Sequence, residues 1–141
     1  MTGIGYFRAR GGGNRIGAKM LEVTFLKEKV TAIFDCGTGM LPRSSDRPDN
    51  LYLPDLDGLN PDHTIYLFLT HGHQDHVGVA PLFKKMYPKA KIFATAKTLG
   101  LTEVMGEDAI KIRQESGLYS HYSQNDLIEF LNETQAIRSS D

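Results

Sequence analysis

The sequence has one cysteine, no long apolar run and almost no net charge, and each shortage closes off a class of protein. Cys36 has no partner for an internal disulfide and no companion for a zinc knuckle, which agrees with a reducing compartment; its expected role is that of a small buried hydrophobe. No apolar stretch approaches the roughly 18 residues that a membrane span requires. The N-terminus MTGIGYFRAR also lacks the apolar core of a secretory signal, so the chain reads as cytoplasmic, with no membrane partner. A net charge of -1 argues against a polybasic nucleic-acid binder by bulk composition. The charges are unevenly spread: residues 1–34 carry six Lys/Arg against two Glu, and residues 35–62 carry two Arg against six Asp. A solvated mixed surface accounts for this, with a groove that has a basic lip as the alternative. There is no low-complexity tract and no internal repeat. At 141 residues and 40% hydrophobic content, the chain can bury one core and reads as a single domain, or a piece of one, over 1–141.

Strand patterns come first along the chain and helix patterns follow. Ile4 to Ala9 and Met20 to Phe25 alternate as half-buried strands do, with the turn-formers Gly11-Gly12-Gly13-Asn14 between them. Val30 to Phe34 is a third strand that stops at Asp35-Cys36-Gly37-Thr38-Gly39. Leu41 to Pro61 holds four of the six prolines and is expected to be a long irregular surface loop. Thr64 to Thr70 is the most uniformly apolar segment, as a strand covered on both faces should be. Val77 to Tyr87 reads as a helix stopped by Pro88, Lys91 to Ala96 as a strand, and Thr98 to Ser116 as a helix capped by Gly117. Ser123-Gln-Asn-Asp126 is close to a capping box, with Tyr122 and Leu127 placed for a hydrophobic staple, and opens a last helix from Gln124 to about Gln135. This order implies an α/β or α+β layered fold.

Between the apolar strand and the next helix lies LTHGHQDHVG, residues 69–78. A turn at the end of a buried strand holds side chains in a mouth that rigid walls define and solvent can enter. His71 and His73, one glycine apart, can both direct imidazole nitrogen at one ion such as Zn²⁺. Asp75 and His76 cannot easily reach that same ion and suit a second one beside it. Two cations about 3.5–4 Å apart activate a bridging water and clamp the oxygens of a hydrolysed ester, so the pattern points to hydrolysis with Asp75 as a catalytic carboxylate. Asp35, closing a strand between Phe34 and Cys36, is either a turn-former or a carboxylate that orients a ligand histidine. His63 and His121 have no companion ligands and read as exposed or capping histidines.

Two other motifs fail. Gly12 to Gly17 has the glycine spacing of a phosphate loop, but Ala18 stands where its lysine belongs. Asn132-Glu-Thr134 matches a glycosylation acceptor but falls within an expected helix of a cytoplasmic chain.

The run His71 to His76, preceded by Phe34-Asp35-Cys36-Gly37, resembles the metallo-β-lactamase fold. Gly11-Gly12-Gly13-x-x-Ile16-Gly17, Tyr52 to Gly58, Ile92-Phe-Ala-Thr95 with Leu101-Thr-Glu103, and Tyr122-Ser-x-x-Asp-Leu127 resemble its β-CASP branch, which contains RNA-processing nucleases. The likeness runs from about Gly11 to Leu131. It implies the N-terminal half of an αββα sandwich, a mixed sheet with helices on one face. It also implies RNA as partner, and metal ligands His71, His73, Asp75 and His76 for two Zn²⁺ ions, with Mn²⁺ as the alternative. In the family a further ligand histidine and a bridging aspartate follow the last helix seen here, and more histidines follow an inserted domain. None of these is in the chain; His121 precedes the last helix and does not match.

The expectation is therefore a metal-dependent hydrolase of β-CASP ribonuclease character, incomplete as it stands, that either pairs with a missing C-terminal half or self-associates. A thioester or lactone hydrolase of the same superfamily is the alternative enzyme, and a truncated metal-binding or interaction module is the alternative of another class.

Overall fold

The computed structural model describes residues 4–41 and 51–138. Its main sheet has six strands in the order β1-β2-β3-β6-β7-β8: β1 Gly5–Gly11, β2 Met20–Phe25, β3 Val30–Phe34, β6 Thr64–Leu69, β7 Lys91–Thr95 and β8 Gln135–Ile137. β4 (Gly39–Met40) and β5 (Leu51–Tyr52) form a separate two-stranded ladder. The first three main strands are antiparallel, and β3, β6, β7 and β8 run parallel, so the sheet is mixed. The helices are α1 (Gln74–Val77), α2 (Ala80–Met86), α3 (Ala96–Glu115) and α4 (Gln124–Glu133). None of them is long and apolar enough to cross a membrane.

Strand alternation sorts the sheet into two unlike faces. Ile33, Ile65, Leu67, Leu69, Ile92 and Ala94 point to one side and are buried with Phe83 of α2, Ile110 of α3 and Leu127 and Phe130 of α4. Phe83, Leu127 and Phe130 are fully buried. Truncating either phenylalanine to alanine would cost about 3–5 kcal/mol. Lys84 fastens this layer, donating to the carbonyls of Pro88 and Ala90 and pairing with Glu133 of α4 at 2.8 Å. The opposite face carries Phe7, Leu21, Phe25, Phe34, Tyr66, Phe68 and Phe93, none of them buried. The rings of Phe34, Phe68 and Phe93 stack across three neighbouring parallel strands with centroids 5.4 Å apart. The layered α/β fold with helices on one face is thus present, and among the described residues no helix covers its second face.

Three expectations need correction. The helix from Val77 to Tyr87 is two helices: α1 starts earlier, at Gln74, and α2 begins only at Ala80. The break falls at Val79, whose N–H donates to the Cys36 carbonyl, and Pro81, which brings no N–H, sits in the first turn of α2. The last helix stops at Glu133, and Gln135–Ile137 becomes an edge strand parallel to β7. Thr134 turns the chain from one to the other: its backbone is extended, while its N–H and hydroxyl both donate to Phe130 O. The loop expected over Leu41–Pro61 lies outside the described residues at 42–50. Beyond that gap it contains a strand at Leu51–Tyr52, where the Tyr52 ring lies against Gly39 and its hydroxyl donates to Gly17 O at 3.0 Å. The capping box of α4 is present, Ser123 and Asp126 bonding each other's backbone N–H, and both Tyr122 and Leu127 are buried.

Candidate metal centre

The ends of the parallel pair β3 and β6 build the site. Asp35 leaves β3 in the left-handed region, with φ 63°, a conformation that Asp tolerates because its short side chain bonds locally. Its N–H still donates to Phe68 O of β6, so the carboxylate is delivered beside the end of that strand. There it accepts from the Thr70 N–H at 2.8 Å and the Thr70 hydroxyl at 2.6 Å, and it meets His76 Nδ1 at 2.7 Å. In a neutral imidazole that contact places the hydrogen on Nδ1 and leaves Nε2 as an acceptor.

The motif turn is stitched to its surroundings by backbone. Cys36 N–H donates to His76 O, Thr38 N–H to Gln74 O, Lys19 N–H to Asp75 O, and Gly37 N–H to Lys19 O. Gly37 is required here, because a Cβ on it would lie 1.8 Å from Asp75 O. Cys36 is fully buried, and burial together with the charge of Asp35 pushes its thiol far up, so it takes no part as a thiolate.

The four expected ligand residues come together as two pairs. His71 Nε2 and His73 Nδ1 face each other at 2.7 Å on the exposed lip, with ring centroids 4.0 Å apart, and His76 lies 5.2 Å from His71 by the same measure. The second pair is Asp75 Oδ2 and His76 Nε2, 3.5 Å apart. Lys19 Nζ caps both atoms from one side, 3.2 Å from the carboxylate and 3.1 Å from the imidazole. Burial pushes the Asp75 carboxyl up, but the hydrogen bond from Lys19 and the charges of His76 and Lys19 outweigh it and hold the group below its ordinary value of 3.8. Among the described residues, no three His, Cys, Asp or Glu side chains are placed to share one ion.

The donor chemistry fits one cation at His71 and His73, two imidazoles whose facing nitrogens could exchange a shared proton for a metal. It does not fit a second ion at Asp75 and His76 while an ammonium fills the position. Asp35 touches His76; His63 lies elsewhere, its Nδ1 3.0 Å from Thr31 Oγ1, and His121 packs edge-on against Tyr119. Two contributors escaped the sequence reading. Thr70 is signalled only by its place at the end of the apolar run. Lys19 has no sign of its own beyond the general excess of positive charge before residue 35; in the structure it follows the turn Gly17-Ala18, where both residues have positive φ, at the start of β2.

Comparison with known proteins agrees with this architecture. The chain is 26% identical over 125 residues to a transcription termination factor, FttA, of Cenarchaeum symbiosum, which covers 89% of the chain and 19% of that protein. It is 35% identical over 95 residues to ribonuclease J of Mycobacterium tuberculosis, 66% of the chain and 16% of the relative. It is 29% identical over 128 residues to cleavage and polyadenylation specificity factor 73 of Drosophila melanogaster, 90% and 18%. The chain therefore spans about a fifth or less of the length of these relatives. The resemblance to β-CASP nucleases carried by the flanking motifs is in keeping with those names. The family model described as the metallo-beta-lactamase superfamily matches residues 22–109, across β2, β3, β6, the histidine turn, β7 and most of α3, and the chain belongs to that superfamily.

Proposed function

We propose that this chain is the N-terminal, metal-binding part of a cytoplasmic hydrolase that cleaves RNA phosphodiesters. The observation that carries the proposal is the histidine turn: two facing imidazole nitrogens at the open end of a parallel strand pair, beside a braced Asp35–His76–Asp75 group. The names of the relatives, among them a ribonuclease and a cleavage factor, support RNA as the substrate class.

His71 and His73 would hold the ion, for which Zn²⁺ is the first choice and Mn²⁺ the second. When bound there, such an ion would polarise a phosphoryl oxygen and bring a bound water toward neutral pKa. The chain's own groups prepare the surroundings. Asp35 fixes the ring of His76, Thr70 fixes Asp35, and the backbone bonds from Cys36, Thr38 and Lys19 hold the turn rigid. Lys19 Nζ places a positive charge at the mouth, where negative charge grows on phosphate during attack. Asp75 holds that ammonium at the mouth and lies beside His76 Nε2. The rest of the ligand set, and the second layer of the sandwich that would cover the bare sheet face, belong to polypeptide that this chain does not contain.

The test is complementation. The chain is combined with the remainder of the domain, in trans or within one longer polypeptide, and assayed on single-stranded RNA with and without divalent metal. Metal-dependent cleavage is expected. Asp75→Ala should abolish turnover while RNA binding persists, and His121→Ala should change little. Equal cleavage by the Asp75→Ala protein and the parent would remove the catalytic reading, and activity confined to thioesters or lactones would reassign the substrate class.

A further inference from the structure

Lys19 is held at the site by its backbone rather than by its side chain. Its N–H donates to Asp75 O at 2.9 Å and its carbonyl accepts from Gly37 N–H at 3.1 Å, so both loops that build the mouth clamp this residue. Its side chain is about half exposed (49%), yet Nζ is directed inward, onto Asp75 Oδ2 and His76 Nε2 together. Those two atoms are 3.5 Å apart. Two donors bound to one tetrahedral ion at about 2.1 Å each would stand about 3.4 Å apart, so His71 and His73, whose nitrogens now face each other at 2.7 Å, have to part slightly to take an ion. The Asp75–His76 pair is thus spaced for a metal ion and occupied by an ammonium whose contacts, 3.1 and 3.2 Å, have the length of hydrogen bonds. Asp35 completes the arrangement by bonding His76 Nδ1, which turns the lone pair of Nε2 toward Lys19.

We propose that the Lys19 ammonium is the resident cation of the Asp75–His76 pair and keeps a second divalent ion out of it, so that the chain loads one ion, at His71 and His73. This rests on the metal-binding reading of the turn and deepens it. A second ion could enter only by displacing Nζ, and would then share the mouth with a displaced positive charge tethered a few ångströms away.

The experiment is equilibrium dialysis of the whole chain against Zn²⁺ with metal analysis, comparing the parent with Lys19→Met and Lys19→Arg. Methionine keeps the length of the stem and removes the charge. Both clamping bonds are backbone bonds and survive, and circular dichroism checks that each variant is folded. We expect the parent and Lys19→Arg to take up no more than one ion per chain, and Lys19→Met to gain an additional ion, binding at this position roughly ten-fold or more tightly than in the parent, in line with the repulsion between a unit charge and a divalent ion at about 4 Å. Adding Asp75→Asn to Lys19→Met should remove the gained ion. Equal uptake by parent and Lys19→Met, or two tight ions in the parent, overturns this inference alone. No uptake by either protein overturns it together with the metal-binding reading.

Discussion

Asp35 and His76, 41 positions apart in sequence, meet at 2.7 Å because a parallel strand pair ends with the carboxylate on one strand and the turn on the other. This contact sets the ring orientation and the tautomer of His76. Long-range proton–nitrogen NMR should show His76 as the Nδ1–H form in the neutral ring, and Asp35→Asn should weaken that preference. Asparagine tolerates the same positive φ, so the variant should fold, with a loss of about 1–3 kcal/mol for replacing a charged acceptor that serves Thr70 and His76. An Nε2–H form in the parent would contradict the arrangement.

Gly37 tests whether the histidine turn is rigidly seated. A Cβ there would lie 1.8 Å from Asp75 O and 2.6 Å from His76 N, both backbone atoms that cannot step aside. Gly37→Ala should displace the turn and cost several-fold or more in metal affinity at His71 and His73, whereas Gly100→Ala, with open space around it, should leave both affinity and folding intact. Calorimetric titration of the two variants distinguishes them.

Glu22 governs acid stability. It is buried on β2 against Arg10 Nε at 2.5 Å, and it also accepts from Tyr6 and Thr24. Burial pushes its carboxyl up, but the bonds from Arg10, Thr24 and Tyr6 and the charge of Arg10 outweigh this and lower it below 4.5. A carboxyl whose pKa is lower in the folded state stabilises the fold above its ordinary value, and that stability is lost as pH falls through the folded value. Urea unfolding should therefore show stability falling below about pH 4.5. Glu22→Gln should flatten that dependence and cost about 1–3 kcal/mol at pH 7, because Arg10 loses its buried counter-charge and keeps only the half-exposed Asp55 carboxylate and the carbonyls of Asp55 and Asp57. A variant as stable as the parent at pH 7 would show that the pair contributes nothing.

The bare aromatic face should make the isolated chain associate. Phe7 is 80% exposed, Phe25 42%, Leu21 40% and Phe34 37%, on one continuous side of the sheet. Light scattering should show mass rising with concentration, and Phe34→Lys should lower it. A monodisperse monomer at high concentration would show that the face is satisfied as it stands.

Sequence alone placed β2 and β3 to the residue, because each is an alternating run closed by charged or glycine-bearing turns, Lys27-Glu28-Lys29 and Asp35-Cys36-Gly37. The grouping of the site into a His71–His73 pair and an Asp75–His76 pair was legible from spacing. The first two face each other across a glycine, while the others lie on the first turn of α1. Strand β8 was not legible: three residues directly after a helix show no period, and only pairing with β7 makes them a strand. Nor was Lys19. Its reach to Asp75 and His76 spans more than fifty positions and arises from the β2–β3–β6 register, which no local pattern encodes.

The main sheet lists its strands in the order in which a ribosome would release them, and each is hydrogen-bonded to the one before it in that order. A nascent chain can therefore extend the sheet at a single advancing edge, with no strand inserted between two already paired. The histidine turn closes onto Lys19 and residues 35–38, all synthesised earlier, so the cation-holding end takes shape when β6 docks, before α3 and α4 have emerged. The same event stacks Phe68 on Phe34 and starts the row of aromatic rings. From then on the stacked rings face outward while the later strands and helices are still being made.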